Sequence, residues 1–221
     1  MKRVPTAELL DTDDGTPEEI AGSLADLRMI NRRFGGRETT RRMVEKVALG
    51  TNRDSLSLLE VAAGSGDVPR GTRDMLGARG IRLEITLLDR IASHVGKGGR
   101  SIGGDALALP FGDGSFDLVG CGLFAHHLSP EQVIGFVDEG LRVCRCAVLI
   151  NDLVRHPLHL AMVYAATPLY RSRLTRHDAP ASVRQAYTLE EMRDILRQTS
   201  AARVEIERYY LFRMGVIAWK D

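Results

Sequence analysis

A mostly parallel α/β sheet with helices on both faces is the fold class this sequence predicts. Two observations predict it. From residue 55 onward, short apolar runs alternate with helix-forming segments, and several of those runs end on glycine or on a carboxylate. Such runs are what strands buried on both faces look like, and the alternation places helices over them. Bulk composition agrees: 221 residues, 44% apolar and 27% charged, suit one globular domain with one substantial core.

The elements follow in order. Thr16-Pro17-Glu18-Glu19 is a capping box with proline at the first helical position, and Ile20, Leu24 and Leu27 form one stripe behind it. A second helix is expected over Glu38 to Ala48, after the Phe34-Gly35-Gly36 break. Residues 1–54 therefore read as helical packing ahead of the sheet, a cover to the core of residues 55–221. The first strand is Leu56 to Ala62, a helix follows over Val68 to Ala78, and Leu83 to Asp89 is the second strand. A short third strand is placed near Arg100 to Gly103, and Phe116 to Cys121 is the fourth. Ser129-Pro130-Glu131-Gln132 caps a helix whose Val133, Val137 and Leu141 share a face, and Ala147 to Asp152 is the fifth strand. Residues 153–188 read as an insertion before a helix capped at Thr188. Two more strands are expected from Arg203 to Trp219.

Charge and cysteine usage narrow the partners. Thirty basic against 29 acidic side chains leave a formal charge of +1, which gives nucleic acid no electrostatic hold and makes it an unexpected partner. Met1-Lys2-Arg3-Val4-Pro5 runs into Asp11-Thr12-Asp13-Asp14 with no apolar stretch between, unlike a secretory signal. Leu158 to Tyr170 is too short for a bilayer and is broken by Pro168, so no membrane span is expected. Three cysteines make no disulfide framework, and a reducing cytoplasm is the expected compartment.

Chemistry-bearing residues gather where the strands end, which is where parallel α/β sheets bind ligands. Glu60-Val61-Ala62-Ala63-Gly64-Ser65-Gly66-Asp67 closes the first strand, and its glycines let backbone turn tightly beside a ligand. Asp89, 23 residues beyond Gly66, ends the second strand, where a carboxylate can accept both hydroxyls of a ribose. Gly104-Asp105-Ala106-Leu107-Ala108-Leu109-Pro110-Phe111 leads to Phe116-Asp117. With this third segment, residues 55–152 resemble the class I S-adenosylmethionine-dependent methyltransferases, most nearly a small-molecule branch that includes quinone-biosynthesis enzymes.

The resemblance implies a Rossmann-like sheet of seven strands, the last two antiparallel at its edge, with the N-terminal helices and the insertion forming a cover. It implies S-adenosyl-L-methionine as cofactor. Glu60, Ala62, Gly64 and Gly66 would surround its methionine part, Asp89 and Arg90 its ribose, and Asp105, Ala106 and Leu107 its adenine. Cys121 and Gly122 would pass the sulfonium. Ala62 stands where that family often has glycine. In-line methyl transfer needs chiefly alignment and exclusion of water, so no metal is expected. His126-His127 are the candidate bases for a hydroxyl acceptor, or else simply pack in their turn. His156 and His159, with Pro157 between them and no matching carboxylate, do not make a metal site.

The expected reaction is O- or C-methylation of an apolar, ring-containing small molecule. Phe34, Met162, Tyr164 and Tyr170 supply apolar surface in the cover, which either lines an acceptor pocket or packs against a second subunit in a homodimer. Arg32, Arg33, Arg37, Arg41 and Arg42 either greet an anionic acceptor or form a solvated helix face. A nicotinamide-dependent oxidoreductase is the alternative enzyme, but its glycine fingerprint would need glycine where Pro69 stands. A non-catalytic adenosyl-cofactor-binding protein is the alternative outside enzymes.

Overall fold

The computed structural model describes residues 1–12, 14–90 and 100–221. Helices α1 (Pro17–Arg33) and α2 (Gly36–Gly50) precede β1 (Ser55–Val61), α3 (Asp67–Gly77), β2 (Arg82–Asp89) and β3 (Arg100–Gly103). Then come β4 (Phe116–Gly122), α4 (Pro130–Val143), β5 (Cys144–Leu153), α5 (Pro157–Ala166), α6 (Arg173–Gln185) and α7 (Leu189–Leu196). Strands β6 (Arg203–Tyr210) and β7 (Arg213–Trp219) close the chain. The expected capping boxes are present at Thr16, Ser129 and Thr188, each side-chain oxygen accepting the N–H three residues on.

The seven strands form one sheet in the order β3-β2-β1-β4-β5-β7-β6. All neighbours are parallel except β7, which runs antiparallel to both β5 and β6. Chain direction across the sheet reverses between β1 and β4, so the crossovers on either side leave a crevice at their carboxyl ends.

Each face of the sheet carries its own core. Leu56, Leu58, Leu118, Ala147, Leu149 and Ile217 pack with Met43, Val44 and Val47 of α2 and Leu76 of α3. Leu59, Val61, Val119, Cys121, Val148 and Ile150 pack with Val133, Phe136 and Val137 of α4 and Met192 of α7. Helix α2 is thus a layer of the core, and among the N-terminal helices only α1 sits outside it.

One sequence-level boundary shifts for a physical reason. β5 begins at Cys144 rather than Ala147, because α4 leads into it without a loop. A bulge follows: Phe116 pairs with Cys144, but Leu118 pairs with Ala147. The extra residue sends Cys144 and Cys146, two apart, to opposite cores.

The insertion folds as two helices and is tied to α1. Asp26 of α1 accepts the N–H groups of Arg171 and Ser172 at 2.8 and 3.1 Å, and the Ser172 hydroxyl donates to the Glu19 carbonyl at 2.7 Å. Segment 1–12 lies against the same assembly. Asp178 of α6 accepts the N–H groups of Leu9 and Leu10, and the Arg3 guanidinium donates to the carbonyls of Gln185 and His126.

Candidate active site

The first wall of the site is the carboxyl end of β1. Glu60 pairs in register with Gly120, and a Cβ on Gly120 would stand 3.0 Å from Glu60 Oε2. Only a glycine leaves the carboxyl that room. Burial pushes the Glu60 carboxyl up to about 8, and it has no hydrogen bond among the described residues. An unpartnered buried carboxyl at a strand end is an acceptor awaiting a donor.

Past Val61 the backbone turns through three left-handed residues, Ala62 (φ 51°), Gly64 (φ 48°) and Gly66 (φ 66°). Nothing lies within 4 Å of a Cβ built on Gly64, so this backbone faces open space. The Gly64 N–H donates to Asp89 Oδ2 at 2.7 Å, which locks the loop to the end of β2. Asp105 accepts the Leu107 N–H at 2.9 Å, shaping the next loop, and Gly104, Asp105, Ala106 and Leu107 line the same cavity.

Glu60, Ala62, Gly64, Asp89, Arg90 and Gly122 also line this cavity of about 1100 Å³. Two expected residues do not. Gly66 shapes the turn from behind, where an added Cβ would strike Leu87 at 2.7 Å. Cys121 is 3% exposed and points into the α4-side core, because alternation along β4 turns it away from the face that Glu60 occupies. Its thiol is pushed up by burial and takes no place in the site.

The opposite wall is the 3-10 turn Ala125–His127 after β4. Asp152, at the end of the neighbouring β5, grips it twice: Oδ2 accepts the His126 N–H at 2.9 Å, and Oδ1 meets His126 Nδ1 at 2.6 Å. The other side of the His126 ring faces Glu8 Oε1, with Nε2 at 3.5 Å. Burial alone would lower the His126 pKa, but the Asp152 and Glu8 carboxylates outweigh it and raise it to about 10. His127 is more open, with Nδ1 3.0 Å from Asp11 Oδ2 and Nε2 4.0 Å from Glu8 Oε2.

Glu8, Asp11 and the bracing role of Asp152 escaped the sequence reading. Asp152 was visible as a carboxylate ending a strand. Glu8 and Asp11 belong to a segment with no periodicity, and only the folded chain brings it to the cavity lining. Of the expected cover residues, Phe34, Met162 and Tyr170 line the cavity. Tyr164 does not: its hydroxyl is engaged by Arg184 at the surface. The arginines near α2 are largely neutralised by neighbours, Arg37 by Asp67, Arg41 by Glu38 and Glu45, and Arg42 by Glu38. Arg33 alone of the five reaches the cavity lining.

Comparison with known proteins places this geometry. Residues 59–147 match the family model described as a methyltransferase domain. No curated protein sequence matches the chain. Among solved structures, it is similar to an S-adenosylmethionine-dependent methyltransferase from Aquifex aeolicus, at 18% identity and TM-score 0.54, over 79% of this chain and 88% of that one. It is similar to the magnesium protoporphyrin IX methyltransferase of Synechocystis PCC 6803 with S-adenosylhomocysteine bound, at 15% identity and TM-score 0.54, over 85% and 84% of the two chains. The plantazolicin methyltransferase, in complex with a monoazolic desmethyl analogue and S-adenosylhomocysteine, matches at 12% identity and TM-score 0.65, over 96% and 94%. At such identities the structures speak for the fold, and the family match speaks for the domain. Residues 59–147 thus carry a methyltransferase domain, on a fold shared with solved S-adenosylmethionine-dependent methyltransferases.

Proposed function

We propose that this enzyme methylates an apolar, ring-containing small molecule at oxygen or carbon. The observation that carries the reading is the single cavity of about 1100 Å³ that joins the β1 loop to the cover. It lies just above the usual range for small-molecule sites, enough for a cofactor with an acceptor beside it. At the acceptor end the lining is Leu24, Leu27 and Phe34 from α1 and its C-cap, with Met162, Tyr170 and Phe212. Two of the three named neighbours are a magnesium protoporphyrin IX methyltransferase and a plantazolicin methyltransferase with an azole-bearing analogue bound, which is in keeping with this reading.

S-adenosylmethionine, when bound, supplies a methyl group already activated on a sulfonium. The protein's part is to hold and to exclude. Glu60, Ala62 and Gly64 are proposed to hold the methionine end, Asp89 and Arg90 the ribose, and Asp105 to Leu107 the adenine. The covering segments keep water from the acceptor. His126 and His127, the expected bases, stand at the acceptor end. His126 is buried and held by Asp152 at 2.6 Å, so the more open His127 is the imidazole proposed to take an acceptor proton.

A transfer screen with labelled cofactor over phenols, quinones and azoles tests this. Turnover on a ring compound is expected. Methylation confined to transfer RNA or to folded protein would overturn the acceptor class while leaving the enzyme class untouched.

A further inference from the structure

We propose that Glu8, His126 and His127 form a binding site for a divalent transition-metal ion, Zn2+ first, at the acceptor end of the cavity. One ligand atom from each lies within 4.8 Å of the other two. A tetrahedral zinc with bonds of about 2.0–2.2 Å needs ligand atoms roughly 3.3–3.5 Å apart. Glu8 and His126 already stand 3.5 Å apart, so closing the cluster asks for little side-chain movement.

Three features make this more than a chance meeting of polar groups. His126 Nε2 is fully buried, without a hydrogen-bond partner among the described residues, and aimed into the cluster from a residue only 2% exposed. Leaving a buried ring nitrogen without a partner is costly, and a metal ion that displaces its proton would satisfy it. Each imidazole, moreover, has a carboxylate behind it: Asp152 at 2.6 Å from Nδ1 of His126, Asp11 at 3.0 Å from Nδ1 of His127. A carboxylate on one ring nitrogen fixes the tautomer and turns the other nitrogen outward as a ligand, the usual outer arrangement of metal-bound histidine. Finally, Glu8 is itself aimed. Its Oε1 accepts from Ser182 at 2.6 Å and Gln185 at 2.8 Å, which holds the carboxylate with Oε1 3.5 Å from His126 Nε2 and Oε2 4.0 Å from His127 Nε2.

Two imidazoles and one carboxylate suit zinc and its neighbours, and leave a fourth position open towards the cavity. The proposal rests on the acceptor reading only for what fills that position: an acceptor oxygen. A hydroxyl bound to such an ion loses its proton to solvent near neutral pH, as zinc-bound water does. His127 would then be a ligand and not a base.

Chelator-stripped full-length protein titrated with ZnCl2 in a calorimeter should bind one equivalent and release protons as it does so. Glu8→Gln and His127→Asn should abolish that binding, and Asp11→Asn, at a half-exposed outer carboxylate, should weaken it about 10–100-fold. S-adenosylhomocysteine should still raise the melting temperature of all three variants, which establishes that they fold and bind cofactor. Absence of a tight equivalent in the wild type would overturn the proposal, as would zinc uptake undiminished in the Glu8 and His127 variants. Neither result would touch the methyltransferase assignment, which the homocysteine arm reads separately.

Discussion

Glu60 is a buried acid whose neutral form the folded chain prefers. Below its ordinary pKa of 4.5 the carboxyl is protonated whether the chain is folded or not, and the burial carries no ionisation cost. As pH rises from 4.5 through about 8, the folded state retains a proton that the unfolded state has released, so stability falls across that window. Glu60→Gln should remove this slope. Thermal melts should find the variant level with wild type near pH 4 and more stable near pH 8 by about 4–5 kcal/mol, roughly 8–20 °C. Its cofactor binding should be weaker, and calorimetry in buffers of different ionisation enthalpy should lose the proton release that wild type gives at pH 7. Ala62 adds a second residue-scale test. It holds a left-handed φ of 51° that costs an L-residue roughly 1 kcal/mol or more. Ala62→Gly should therefore raise the melting temperature by about 2–4 °C. Asp89→Ala should weaken S-adenosylhomocysteine binding tenfold to a hundredfold by calorimetry, from the loss of hydrogen bonds worth roughly 1.5–3 kcal/mol. It also removes the brace on Gly64, so its dissociation rate should rise.

At the scale of elements, the site depends on how helices are clamped to the sheet end. Arg213, the first residue of β7, is 3% exposed and donates to Asn31, Asn151 and the Phe34 carbonyl. Asn151 in turn donates to the Gly36 carbonyl and to Thr40. One arginine thus joins the α1–α2 junction to β5. Arg213→Ala would leave buried acceptors unpaired and should cost about 3 kcal/mol, a drop of roughly 6–12 °C in the melting temperature. The strands and capped helices themselves were legible. Thr16, Ser129 and Thr188 cap helices because a hydroxyl and a glutamate or glutamine three residues on satisfy each other's neighbours locally. Strand ends were legible to within one residue for a similar reason, Ala62, Asp89 and Cys121 expected against Val61, Asp89 and Gly122 found: apolar runs stop where chain leaves the core. The bulge that parts Cys144 from Cys146 was not, since register between strands is settled across the sheet and not along the chain.

At the scale of the molecule, the cavity belongs to no single segment. Its lining draws on residues from Glu8 to Arg213, and α1, α5 and α6 close it only because Asp26 and Glu19 fasten α1 to the insertion. Among the described residues no helix is long and apolar enough to cross a membrane. The sequence by itself determined the sheet, its helices and the β1 loop with Gly64 and Asp89, because these follow from local periodicity, capping and short-range spacing, while the cofactor class came from the family resemblance. Only the tertiary structure decided that Cys121 turns into the core, that Tyr164 leaves the cavity, and that Glu8 and Asp11 come to face His126 and His127. Those pairings span more than a hundred residues of chain and are fixed by packing between distant elements, and one chain's local pattern carries no record of that.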